Sequence, residues 1–171
     1  MRRRGTIVTL GALLGILGGA LTVSPAQAGR GPNWEYLPAE PFTEPAALCG
    51  FGIQVTPVSN EYIKELKTPD GSVLLFTGSF VQSYTNLNTG KTITENASAS
   101  ARITVNDDGS ASVVSTGLSP LFLAPAEAQQ FGLPAVNVLA GVATFSLDPD
   151  GNVTALSLQG HVQVDVCAAL S

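Results

Sequence analysis

The chain is poor in the side chains that do chemistry. Among its 171 residues there is one histidine, one tryptophan, one methionine and two cysteines, and charged residues make up only 12%. His161 has no second His or Cys at ligand spacing, which excludes the familiar zinc patterns and leaves no Ser-His-Asp or Cys-His set to assemble. No Gly-rich phosphate loop is present, nor any interleaving of aromatic and basic residues, so nucleotide-driven and nucleic-acid-binding classes find no footing. Asp107-Asp108-Gly109 and Asp148-Pro149-Asp150-Gly151 lack the closing glutamate of a helix–loop–helix calcium site. No cofactor and no metal is expected. Bases are scarce too, with eight Lys and Arg against thirteen Asp and Glu.

Three of those bases are spent before the patterned chain begins. Arg2, Arg3 and Arg4 precede an apolar, Gly-rich run from Ile7 to Val23, and Ser-Pro-Ala26-Gln-Ala28 places small residues where a signal peptidase reads. Residues 1–28 are therefore expected to be a signal peptide and the protein secreted, with no stable membrane insertion after cleavage. Residues 29–171 carry five bases against thirteen acids, a net charge of −8. Such a surface disfavours nucleic acid and anionic lipid. These 143 residues suffice for one domain with a core. In an exported chain, Cys49 and Cys167 most simply form one disulfide.

Residues 29–48 hold four prolines and neither periodicity, which predicts a flexible arm; Trp34 and Tyr36 in it either form a binding handle or fold back over a core edge. From Cys49 to the C-terminus the pattern is β. Phe51, Ile53 and Val55 alternate with polar residues, and a weaker strand over 60–67 carries charges suited to an edge or wet face. Residues 72–87 read as a long strand bent at Gly78. Over 91–105, Ile93, Ala97, Ala99, Ala101, Ile103 and Val105 face one way and polar residues the other, with Glu95 the exception on the apolar side. Turns fall at Gly71, Gly90 and Gly109, each 19 residues apart, as sequential hairpins require. Two further strands, 136–147 and 152–167, flank Asp148–Gly151. The expected fold is all-β, an antiparallel up-and-down β-barrel of about eight strands over 49–171, with a β-sandwich as the alternative.

The segment 119–134 breaks the regularity and reads as a short strand followed by a mobile loop or one helical turn. It is apolar for a connection. Leu121, Phe122, Phe131 and Leu133 are the candidate ligand-binding residues, or else a lid that completes the core. Glu95, His161 and Tyr84 are the polar groups that a cavity enzyme of the cyclase type would use, provided at least two of them share one cavity.

Leu48-Cys49 before an alternating strand, Thr85-Asn86-Leu87-Asn88-Thr89-Gly90-Lys91, the Asp-Gly turns, and the closing Asp165-Val166-Cys167-Ala168-Ala169-Leu170 resemble a group of uncharacterised small secreted proteins of actinobacteria. The likeness runs from Leu48 to the C-terminus. It implies a secreted β-domain with a terminal disulfide and brings no activity or catalytic residue. The functional expectation is a secreted, non-enzymatic β-barrel that binds a partner or a small apolar ligand, or acts at the cell surface. The alternative is the small-barrel enzyme.

Overall fold

A computed structural model describes residues 33–69 and 71–171. The expected signal peptide and the first residues of the arm lie outside the described residues. Nine antiparallel strands form one sheet in simple up-and-down order. The long strands are β3 (Ile53–Thr68), β4 (Gly71–Asn86), β6 (Ala99–Asn106), β7 (Ala111–Phe122), β8 (Val136–Leu147) and β9 (Val153–Asp165). β1 (Glu35–Leu37) and β2 (Phe42–Glu44) lie against the outer edge of β3, and β5 (Thr92–Asn96) pairs with β4. The all-β, up-and-down reading is thus correct.

Several boundaries differ from the sequence reading. The stretches expected as two strands, around 51–56 and 60–67, are one strand, β3, which runs through Pro57. The proline is tolerated because β3 is an edge strand: β2 covers it at residues 53–55 and β1 at 61–63, and neither reaches Pro57. The Pro-rich arm is correspondingly docked along its described part, with Leu37 only 4% exposed. The Tyr36 ring meets Tyr62 edge-on, and its hydroxyl donates to the Ser59 carbonyl at 3.2 Å. In place of a loop or single turn, residues 125–131 form a helix, α1 (Pro125–Phe131), stopped by Gly132 in the left-handed conformation. The last strand ends at Asp165, and Val166–Leu170 coil into a short helix, α2, whose first turn Asp165 caps by accepting from Ala168 N.

One row of positions organises the sheet. Glu61 pairs with Gly78; at the corresponding place on β6, Ala99 pairs with Gly117, Gly117 with Gly141, and Gly141 with Gly160. Backbones approach so closely here that a Cβ on Gly160 would lie 1.9 Å from the Ala140 carbonyl oxygen. The sheet folds sharply along this row, as glycines aligned across strands permit. A hydrogen bond proves the fold. Glu127 of α1 accepts from Val153 N at 2.6 Å. Phe122 pairs with Val136, and Val153 pairs with Leu147 at the far end of β8, roughly 36 Å away in a flat sheet. Five residues from Phe122 can reach at most about 18 Å. Only a creased sheet brings the two together.

On one side of the crease the sheet is continuous. On the other it parts. Ser98 turns its hydroxyl onto Phe80, accepting from Phe80 N at 2.8 Å, and the last bond across the seam is Leu118 N to Ser98 O at 3.0 Å. Beyond it β5 pairs only with β4, and β7, which carries Pro120 and so lacks a donor, only with β8. The expected uninterrupted strand 91–105 is therefore two strands that keep the same register on β4. The parted layers face each other: Ile53, Val55 and Tyr84 on one side, Phe122 and Val136 on the other, with Val166 and Leu170 of α2 completing the cluster. A second cluster fills the concave side of the crease with Val113, Leu121, Leu139 and Phe145, against which Phe131 and Leu133 pack half-buried.

The sheet does not close by hydrogen bonding between β9 and β3, so the up-and-down sheet stays an open barrel or sandwich. A disulfide links the two ends instead. Cys49 and Cys167 are bonded, with Cα atoms 5.2 Å apart. The two motifs that carry the resemblance meet at the same place: Asn86 Nδ2 donates to Leu170 O at 3.2 Å and Lys91 Nζ to Ser171 O at 2.6 Å.

Candidate functional site

The crease holds a partly open cavity of about 120 Å³. Its size follows from sequence. The inner face of β5–β6 is built of alanines, and Ala97, Ala99 and Ala101 leave space where larger residues would fill the fold. Phe76, Phe80, Ile103, Val113, Leu121, Leu139 and Phe145 supply the walls, and Leu37 of the docked arm covers one side. In a flat strand Val113 and Leu121 would stand roughly 26 Å apart; the crease brings both to one cavity.

Three polar side chains interrupt this lining. Ser115 and Ser119 are buried and hydrogen-bonded to each other, so each hydroxyl has a partner. The third is Glu61, opposite Leu37 on β1 and Gly78 on β4. Burial holds its carboxyl up at about 7, against a hydrogen bond from Ser59 that favours the charged form. Among the described residues no Lys, Arg or His lines the cavity. Among those residues the one ionisable group of the lining is an acid without a cation, half protonated near neutrality.

Sequence reasoning missed Glu61. Its neighbours Lys64, Glu65 and Lys67 made that stretch look wet, and Lys67 does pair with exposed Glu65. The signal was present in the parity: Ile53, Val55, Pro57, Ser59 and Glu61 share one face of one strand.

The residues singled out in the sequence are dispersed. Leu121 lines the cavity. Phe122 belongs to the other cluster, 5.8 Å from Phe42 and 6.5 Å from Tyr84 between ring centroids. Phe131 and Leu133 pack on the core beside α1. Tyr84 is fully buried and donates to Gln82 Oε1 at 2.5 Å; burial, and secondly the charge of Glu95, raise its pKa. Glu95 is half-buried and pairs with Gln82 across β4–β5. His161 is exposed on the outer face, next to Gln163. Tyr84 and Glu95 are thus neighbours, His161 is remote from them, and none of the three lines the cavity.

Among the described residues no three His, Cys, Asp or Glu side chains gather to hold a metal ion, and no helix is long and apolar enough to cross a membrane. Comparison with protein-family models, curated proteins and solved structures returned no match.

Proposed function

We propose that this is an exported, non-enzymatic β-domain that takes up a small apolar molecule in the cavity at the crease. The observation that carries the reading is the lining, apolar but for two mutually bonded serines and one carboxyl. An apolar cavity of about 150 Å³ accepts benzene in water, so the space here suits a ligand of one ring or a short chain. Export is supported by the leader pattern and by the disulfide, which persists in oxidising compartments. Kinship with the small secreted actinobacterial proteins belongs to the same proposal and rests on the two motifs that meet at α2.

Titration of the purified domain with benzene, followed by calorimetry and by the shift in melting temperature, tests the reading. Binding is expected to the wild type and to be lost in Ala101→Leu, which fills the cavity. Absence of binding to the wild type, or equal binding to both proteins, overturns it.

A further inference from the structure

The cavity is more selective than an apolar hole. We infer that its ligand is a small hydrophobic amine, whose protonated nitrogen sits against the Glu61 carboxylate while its apolar body fills the space beside Ala99 and Ala101. This inference rests on the ligand-binding reading above and names the chemical class.

The groups that face Glu61 lead to it. Across β1 stands Leu37, and across β4 Gly78, with Phe76 and Phe80 on either side of the glycine on the same face. β7 contributes Ser115 and Ser119, already bonded to each other, and β6 and β8 contribute only apolar side chains. None of these titrates near neutrality. The charged residues of the adjoining strands do not enter the lining: Glu35 on β1 and Arg102 on β6 are exposed, and Lys64 lies on the opposite face of β3 from Glu61. A half-buried carboxyl without a cation beside it bears part of the cost of desolvation in its charged form. An ammonium group on the ligand supplies the missing partner in surroundings of low dielectric, where a charge-assisted hydrogen bond is strongest. The neutral form of Glu61 offers a hydrogen bond but no charge. Uptake of an amine therefore displaces the carboxyl proton, and that proton goes to solvent.

The experiment compares benzylamine with its neutral isostere ethylbenzene, on wild type and on Glu61→Gln, by calorimetry at pH 6.5 in buffers of different ionisation enthalpy. Benzylamine is expected to bind wild type about tenfold more tightly than the variant and to release protons on binding; ethylbenzene is expected to bind both proteins within about twofold. If ethylbenzene binds but benzylamine binds both proteins equally, or binds without proton release, the amine assignment is wrong and the apolar cavity stands. If neither compound binds wild type, the ligand-binding reading falls, and this inference with it. The melting temperature of Glu61→Gln, at or above that of wild type at pH 8, separates loss of recognition from loss of fold.

Discussion

Replacing Glu61 by Gln should remove one specific pH dependence of stability. The folded carboxyl titrates at about 7 and the ordinary value is 4.5. Between those values the folded chain holds more protons at this site than the unfolded chain, so stability falls as pH rises through the window. The contribution is fully present below about pH 4.5 and gone above about pH 7. At about 1.4 kcal/mol per pH unit the whole interval is worth about 3 kcal/mol. Glu61 keeps some contact with solvent, and screening reduces the figure to about 1–2 kcal/mol. Urea unfolding of both proteins at pH 4.5 and pH 8 measures it. Wild type should lose about 1–2 kcal/mol more than the variant between the two conditions. Glu44, whose pKa burial also raises, is common to both proteins and cancels. Asp108 and Asp148, lowered by hydrogen bonds from Ser110 and Asn152, act only at more acid pH and cancel likewise. Parallel pH curves for the two proteins would mean that Glu61 is hydrated and that the cavity wall is misassigned.

Gly160→Ala puts a Cβ 1.9 Å from a backbone oxygen, and about 2–4 kcal/mol of stability should be lost; Gly90→Ala, at φ +75° with nothing within 4 Å, should cost about 1 kcal/mol. Equal costs in denaturant melts would refute the crease. Reduction of Cys49–Cys167, which spans 118 residues, should lower stability by up to about 4–5 kcal/mol, and the untreated protein should show no free thiol when denatured. Phe131→Ser with Leu133→Ser should cost about 2–4 kcal/mol if the segment completes the core; an unchanged melt would make it a recognition loop or a linker. Asn86→Ala should raise amide exchange in α2 above that of β4, and uniform exchange would show that the Asn86–Leu170 bond does not hold the helix.

The strands and most of their ends are legible in the residues alone. Alternation from Ile93 to Val105, and the turns at Gly90, Gly109 and Asp148–Gly151, report backbone geometry that each segment dictates locally. The disulfide followed from two cysteines in a chain whose first residues read as an export leader. Local pattern also explains the misses. Val166 and Cys167 continue the alternation of β9, yet Asp165 caps a helix there, because its side chain has Ala168 N within reach. Residues 119–134 lack a helical stripe long enough to read, and α1 is held by tertiary bonds, Glu127 reaching Val153.

The crease and the cavity belong to tertiary structure. Alternation says which residues share a face, never which face becomes concave. Gly78, Gly117, Gly141 and Gly160 sit at unrelated spacings in the chain, and only the pairing register sets Gly117, Gly141 and Gly160 side by side and Gly78 on the same line. Bending is a property of that row, since a sheet folds where several neighbouring strands can approach one another at once. The same folding decides the chemistry of Glu61. On β3 alone it is an acid among charged neighbours; with Leu37 laid against it and Phe76 and Phe80 beside it, it becomes the one ionisable group among the described residues that line the cavity.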